Sequence, residues 1–162
     1  MAEAQARFDP LGMVAALDRQ RVTYIVIGGL ARVIQGTDET TRGLDIVPST
    51  RPENLRRLGL ALDTLKAQPV GGDRGPVEER EQPQAFRTSL GELKVVTAPA
   101  GSRGYDDLRR AATREPLGKG VRPAVASTGD LARMLAAHDG ASPALAQLRR
   151  LAELERERGI SR

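Results

Sequence analysis

The spacing of apolar positions predicts a helix and then a short buried strand at the start of this chain. Apolar residues recur at helical intervals over residues 10–19, directly after an Asp9-Pro10 pair that is typical of a helix start. Residues 22–27 are apolar and β-branched, and they end at the glycine pair Gly28-Gly29. This pattern predicts a buried strand that stops at a tight turn.

A second strand carries one isolated carboxylate. Residues 30–35 follow the glycines with helical spacing, and residues 43–47 then place Asp45 on one strand face and apolar neighbours on the other. Gly28 and Gly29 let a backbone approach a ligand closely, and the amides at the start of a helix favour an anion such as a phosphate. The layout therefore predicts a nucleotide site, although the two glycines taken alone also fit the simple end of a strand.

The same signals place the remaining elements. They are a helix starting at residues 49–53, a loop over 68–84, antiparallel strands over 86–88 and 90–97 beside the Asp45 strand, a helix over 105–113, a turn at 118–120, a strand over 121–126, a helix capped by Ser127 or Thr128, and a last helix from Ser142-Pro143 to about residue 158. We expect an α/β or α+β fold in which helices flank a small mixed sheet. The 162 residues suit a single domain, 1–162, with its core over about residues 10–100 and a helical C-terminal portion over about 101–158.

The amino-acid composition limits the kinds of core and of catalytic or metal site that this chain can form. Aromatic residues make up 2% of the chain, so the core must be built from aliphatic side chains. Cysteine is absent and His138 is the single histidine, which excludes thiolate catalysis, thiolate metal sites and multi-histidine metal sites. No apolar run approaches the roughly 20 residues of a membrane span, and the N-terminus lacks signal-peptide blocks. We expect a cytoplasmic protein that does not enter membranes.

Basic residues are concentrated in one part of the chain. The formal net charge is +4, and six basic residues fall within residues 103–122 against three acidic ones. If these side chains share a face, they attract phosphate. The alternative is that the abundance of arginine reflects a GC-rich genome. Base stacking is not expected to dominate any nucleic-acid contact, because aromatic side chains are scarce.

Several segments resemble, in order and spacing, the minimal nucleotidyltransferases, and more narrowly their AbiEii and MenT toxin-like branch. The family motif is a glycine pair, fourteen residues that end on an aspartate, one residue and a second aspartate; counted from Gly29, these positions are Gly43 and Asp45. Thr41 and Arg42 match the T-R pair before the first acid. The resemblance continues through residues 88–96, 98–108 and 121–137, and covers about residues 22–151.

The resemblance implies a nucleotidyltransferase-like fold that binds a nucleotide at Gly28, Gly29, Thr41 and Arg42. It also implies transfer of a nucleotide from a nucleoside triphosphate to tRNA, with a cognate antitoxin as partner. Such transfer depends on carboxylates that hold Mg²⁺.

The chain departs from the family pattern at the acids themselves. Gly43 replaces the first aspartate, and Lys94 stands where a later strand offers another acid. The lysine and aspartate expected near Leu135 and Pro143 are also absent. The leading hypothesis is therefore a degenerate protein without metal or cofactor, which acts by binding a nucleotide, an RNA or a protein partner. In it, Lys94 pairs with Asp45 in place of the metal.

Two alternatives stay open. An active transferase would use Asp45 and Glu92 with Mg²⁺, because Glu92 lies two residues before Lys94 on the same strand face and Asp38 or Glu39 could turn toward Asp45. A purely structural interaction domain would instead associate through an apolar stripe over residues 145–154 of the last helix.

Overall fold

We describe a computed structural model of the chain, which covers residues 8–71, 75–138 and 140–158. Part of the predicted 68–84 loop, residues 72–74, lies outside these ranges. The described residues form six helices and seven strands. The helices are α1 (Pro10–Arg19), α2 (Gly28–Gln35), α3 (Pro52–Thr64), α4 (Tyr105–Leu108), α5 (Thr128–His138) and α6 (Pro143–Glu157). The strands are β1 (Tyr24–Ile27), β2 (Gly43–Pro48), β3 (Gln68–Pro69), β4 (Gln84–Thr88), β5 (Gly91–Val95), β6 (Thr113–Arg114) and β7 (Ala124–Val125).

The strands form one mixed sheet in the order β3-β4-β5-β2-β1-β7-β6. Strand β2 runs antiparallel to β1 and parallel to β5, and β1 runs parallel to β7. The fold is therefore α+β, with an open mixed sheet, as the sequence predicts. The register places Asp45 opposite Ile27 on one side and opposite Lys94 on the other.

Local sequence explains where helices α1 and α6 begin. The Asp9 carboxylate accepts a hydrogen bond from the Gly12 amide at 3.0 Å, and Pro10 occupies the first turn of α1. Ser142 caps α6 in the same way, because its hydroxyl accepts a hydrogen bond from the Ala144 amide at 3.1 Å. The prediction of both helix starts is confirmed.

The predicted helix over 105–113 is wrong in its extent. Helix α4 ends at Leu108, and Thr113 and Arg114 form a strand that pairs antiparallel with β7. A hydrogen bond from the Glu115 amide to the Pro123 carbonyl, 3.1 Å long, extends this hairpin. Strand pairing with a distant segment thus overrides the local helical tendency. Strands β6 and β7 also bring residues of the C-terminal portion into the sheet.

A single aliphatic cluster forms the core. Strand β1 is buried along its whole length, and α1 and α3 contribute Leu17 and Leu58, which are fully buried, to the cluster. Leu108, Leu131 and Leu148 from α4, α5 and α6 join the same cluster, as the low aromatic content requires. Among the described helices, none combines the length and the apolar character that crossing a membrane demands.

Candidate functional site

Helix α2 begins directly after β1, so the two glycines form its first turn instead of a separate loop. Gly28 has a φ of 74°, which glycine adopts without strain. A β-carbon at Gly28 would collide with the Asp45 carboxylate. The glycine is therefore needed here both for its backbone conformation and for the space that Asp45 occupies.

Asp45 lies at a cavity of about 400 Å³ between the sheet and α5. Charged or polar side chains lie on part of its lining, and apolar side chains form the rest. The polar part comprises Arg32, Asp45, Glu81, Lys94 and His138, and the apolar part includes Ile27, Val96, Pro99, Leu131, Met134 and Leu135. A cavity with one polar and one apolar side is the usual form of a small-molecule site.

Burial raises the pKa of Asp45 above its usual range. The positive charges of Lys94 and Arg32 oppose this shift of the pKa, whereas the negative charge of Glu92 adds to it. Within the described ranges, the Asp45 side chain makes neither a hydrogen bond nor an ion pair shorter than 4.0 Å. Asp45 is thus a half-buried carboxylate open to a ligand.

Lys94 is the register partner of Asp45 across the parallel pair β2 and β5. Its charge acts on Asp45 through the electrostatic field, without the close contact that a direct ion pair requires. Lys94 also lines the cavity, although its side chain is largely exposed. It supplies a positive charge beside the carboxylate.

Glu92 is the register partner of Gly43 and is exposed on β5. The two strands approach closely here, because a β-carbon at Gly43 would lie 2.9 Å from the Glu92 carbonyl oxygen. Such a contact requires the backbone of one strand to shift. Position 43, where the resemblance predicts an aspartate, is therefore closed to any larger side chain in this arrangement.

These residues do not fit a magnesium clamp of the usual kind. Magnesium prefers octahedral oxygen ligands and is normally held by one or two carboxylates together with phosphate oxygens and waters. Gly43 provides no ligand, and Lys94 places a positive charge next to Asp45. Across the described part of the chain, no group of three or more histidine, aspartate or glutamate side chains is arranged to hold a metal ion.

Thr41 and Gly29 lie together beside the start of α2. A β-carbon at Gly29 would be 3.3 Å from the Thr41 hydroxyl oxygen, and that hydroxyl donates to the Gly43 carbonyl at 3.1 Å. Arg42 is exposed and does not belong to the lining of the cavity. The structure thus brings Gly28, Gly29 and Thr41 to one place, with Arg42 outside it.

Asp38 and Glu39, which the sequence offers as substitute acids, are held by other groups. Glu39 accepts hydrogen bonds from the Arg32 guanidinium at 2.8 Å and from the Thr37 hydroxyl at 2.7 Å. The hydrogen bond from Arg32 is the main reason that the pKa of Glu39 is lowered. Asp38 accepts from the Gln147 amide at 2.8 Å. Neither acid lines the Asp45 cavity.

Arg32 is a cavity residue that the sequence analysis does not identify. It lies one helical turn after Gly28, so it shares the helix face that begins at the glycines. That spacing is the signal that could have identified it. His138 and Glu81 also line the cavity, and no local pattern marks either residue, because α5 and the loop before β4 reach the site only through the fold.

A larger and more open cleft of about 710 Å³ lies alongside α5 and α6. Its lining includes Gln35, Thr128, Glu155 and Arg156. None of the predicted site residues lines it, and the Thr128 hydroxyl is already hydrogen-bonded to Glu155 at 3.0 Å. The Asp45 cavity is the better candidate because Gly28, Asp45 and Lys94 line it, although Gly29, Thr41, Arg42 and Glu92 do not.

No protein-family model matches the sequence, and neither does any curated protein. Among solved structures, the fold is similar to that of the antibiotic-resistance factor ANT(2'')-Ia, an aminoglycoside nucleotidyltransferase. The TM-score is 0.58 and the sequence identity 13%, over 88% of this chain and 80% of that one. The chain therefore has a nucleotidyltransferase-like fold.

Proposed function

We propose that this protein is a catalytically degenerate nucleotidyltransferase-like protein that binds a nucleotide in the Asp45 cavity without Mg²⁺. The observation that carries the proposal is the close approach of Gly43 to Glu92, which leaves no room for a second aspartate on β2. Strand β2 has one carboxylate, Asp45, and Lys94 lies beside it. This arrangement favours binding of a nucleotide over metal-dependent transfer of a nucleotidyl group.

The start of α2 supports phosphate binding. No side chain caps the first amides of this helix, so their N–H groups are free to donate to an anion. Gly28 lines the cavity at that point, and Lys94 and Arg32 add positive charge. The apolar side chains of Leu131 and Met134 on α5 form a wall that suits a nucleobase.

The charge of the lining indicates how many phosphates the cavity accepts. Lys94 and Arg32 are balanced by Asp45 and Glu81 on the same lining, and Arg32 is also paired with Glu39. A cavity without net positive charge does not compensate the several negative charges of a free triphosphate. A nucleoside monophosphate is therefore the preferred ligand when magnesium is absent.

Isothermal titration of the full chain with the four nucleoside monophosphates and triphosphates tests the proposal. Each titration is done with Mg²⁺ and with a chelator. We expect at least one monophosphate to bind equally well under both conditions, and Lys94→Met to weaken its binding about tenfold. Arg87→Gln is the matched control, because Arg87 is an exposed cation on β4, next to β5, that lies outside the cavity lining. Binding that requires Mg²⁺, or a complete absence of nucleotide binding, contradicts the proposal.

A second function, active nucleotidyl transfer by Asp45 and Glu92, has one observation in its favour. The charge of Glu92 raises the pKa of Asp45, so the two carboxylates lie within electrostatic reach of each other. Incubation with labelled nucleoside triphosphates and tRNA tests this function. Label transfer that is lost in Asp45→Ala and Glu92→Gln supports it, and no transfer by the unaltered protein excludes it for these substrates.

The toxin role, the tRNA acceptor and the antitoxin partner remain predictions of the sequence resemblance. The similarity of fold supports the nucleotidyltransferase-like part of that resemblance. Expression of the chain in a bacterial host tests the toxin role directly: growth arrest that depends on Asp45 supports it, and normal growth contradicts it.

A further inference from the structure

A second polar cavity, of about 380 Å³, lies at the opposite end of β1 from Asp45. Asp45 is the register partner of Ile27, whereas this cavity is lined by Thr23 and Ser49, just outside the other ends of β1 and β2. Four residues of extended strand separate the two places, which corresponds to about 13 Å. The cavity is therefore separate from the proposed nucleotide site.

Three arginines from different segments converge on this cavity. Arg51 immediately precedes α3, Arg57 lies in its second turn, and Arg109 follows α4. In the described part of the chain, the Arg51 guanidinium has no hydrogen bond or ion pair. The arginines thus bring positive charge to one point from both sides of the cavity.

Two carboxylates also line the cavity, and both are partly neutralised. Glu53 accepts from Arg56 at 2.7 Å and from Arg57 at 3.1 Å. Asp106 lies 3.4 Å from Arg109, and its side chain is 91% exposed, so water screens its charge strongly. The three positive charges of the arginines thus outnumber the two negative charges of the carboxylates on this lining.

The floor of the cavity is rich in hydrogen-bond donors. Ser49 is buried, and its hydroxyl accepts a long contact from the Arg51 amide at 3.5 Å but donates to no described group. The hydroxyls of Thr23 and Tyr105 also have no acceptor among the described residues. Thr23 is exposed and Tyr105 is partly buried, so these hydroxyls are able to donate to an anion that enters the cavity.

Asn54 holds this floor in place. Its side chain accepts from the Thr23 amide at 2.7 Å and donates to the carbonyls of Thr23 and Ser49 at 2.8 Å each. These three bonds use the hydrogen-bonding groups of the buried Asn54 side chain. The donors that remain for a ligand therefore belong to the residues around Asn54. The start of α3 opens onto the same cavity, and no side chain caps this helix.

We infer that this cavity is an anion site for a phosphate group, held by Arg51, Arg57 and Arg109. Guanidinium groups bind phosphate oxygens through paired hydrogen bonds, and hydroxyl donors complete the shell. The phosphate belongs either to a small phosphorylated molecule or to the backbone of an RNA strand. Both sources share the same chemistry at this cavity.

A neighbouring cavity of about 250 Å³ extends the site. It shares Thr23 and Tyr105 with the first cavity and adds Arg21, Arg114 and the Asp18 carboxylate, which accepts a hydrogen bond from the Tyr24 hydroxyl at 3.0 Å. A single phosphate occupies only the first cavity, whereas an RNA strand reaches both. This difference separates the two sources experimentally.

The test is a titration of the isotope-labelled full chain, followed by amide NMR shifts. The probes are inorganic phosphate and a single-stranded RNA oligonucleotide. We expect the amides of residues 49–51, 53 and 54 to shift with both probes, and the shifts to be lost in the double variant Arg51→Ala/Arg109→Ala. The control is Arg56→Ala, because Arg56 also pairs with Glu53 but lies outside the lining of the cavity. Circular dichroism confirms that each variant is folded.

The source of the phosphate follows from a second variant. If RNA is the ligand, Arg114→Ala weakens RNA binding about tenfold or more and leaves the shifts caused by inorganic phosphate unchanged, and RNA binding falls steeply with salt. If the ligand is a small phosphorylated molecule, Arg114→Ala changes neither titration. Shifts with neither probe, or shifts that Arg56→Ala abolishes as fully as the double variant, overturn the inference. These readouts are independent of the Asp45 cavity.

Discussion

Gly43 and Glu92 face each other so closely across β2 and β5 that a β-carbon on the glycine would lie 2.9 Å from the Glu92 carbonyl oxygen. Position 43 therefore offers neither a carboxylate nor the space for one. A single substitution to aspartate at this position requires the two strands to move apart.

Gly43→Asp is expected to destabilise the protein by about 1–3 kcal/mol, because the new side chain forces the backbone of β5 to shift. We expect no gain of Mg²⁺ binding in the same variant. Urea unfolding and a metal titration measure the two effects. Gly59→Ala in α3 is the control: a β-carbon there meets no atom within 4 Å, so that variant should be unchanged or up to about 1 kcal/mol more stable. Tight Mg²⁺ binding by Gly43→Asp contradicts the prediction.

Gly28→Ala should destabilise the protein for two reasons that can be separated. One is the positive φ of 74°, which costs a residue with a β-carbon about 1–2 kcal/mol. The other is the collision with the Asp45 carboxylate. In an Asp45→Ala background the carboxylate is gone and only the β-carbon of residue 45 remains close, at 3.1 Å, so the second cost falls and the two substitutions should not be additive. Additive changes in the free energy of unfolding disprove the close packing of these residues.

Lys94→Met is expected to raise the pKa of Asp45 further. Burial already raises this pKa, and the positive charge of Lys94 opposes the shift most strongly among the neighbouring charges. Carbon NMR of the Asp45 carboxyl group measures the pKa in both proteins. Arg87→Gln should leave it unchanged, since Arg87 does not act on Asp45. A lower pKa in Lys94→Met contradicts this account.

Asp45→Asn should change the dependence of stability on pH. Because the pKa of Asp45 is higher in the folded state than its ordinary value of 3.8, the folded state favours the protonated carboxyl. The benefit is complete below pH 3.8 and is lost as the pH rises through the raised pKa. Relative to the unaltered protein, Asp45→Asn should therefore gain stability between low and neutral pH. A difference in unfolding free energy that stays constant with pH excludes this coupling.

Glu39→Gln should lower the free energy of unfolding, because it removes the ion pair between Glu39 and Arg32. The pair is only about one-fifth exposed and is joined at 2.8 Å, so we expect a loss of about 1–2 kcal/mol. Because the pKa of Glu39 is lowered from 4.5, this contribution is present above pH 4.5 and is lost as the pH falls through the lowered pKa. The freed Arg32 should also tighten nucleotide binding. Glu78→Gln, at an exposed pair 3.6 Å long, should change stability little.

The elements that depend on local signals were predictable. Helix α1 follows the predicted range because Asp9 and Pro10 define its start. The position of Asp45 on one face of β2 also follows from alternation along a strand, whereas its pairing opposite the end of β1 is known only from the structure. These patterns act within a few residues, so sequence alone reveals them.

The features that depend on distant contacts were not predictable. Residues 109–113 suit a helix locally, but Thr113 and Arg114 pair with β7 instead. The closeness of Gly43 to Glu92 depends on the parallel register of β2 and β5, which no local pattern specifies. His138 reaches the Asp45 cavity only because α5 packs over the sheet.

The parallel pairing of β1 with β7 joins residues about a hundred positions apart, since Val26 is opposite Val125. Closing so large a loop is slow, and during synthesis it must wait until residue 125 has left the ribosome. Asp45 on β2 is therefore synthesised well before α5, at residues 128–138, supplies the apolar wall of the cavity. Until then, the nascent chain contains only the polar part of the cavity that β1, α2 and β2 provide.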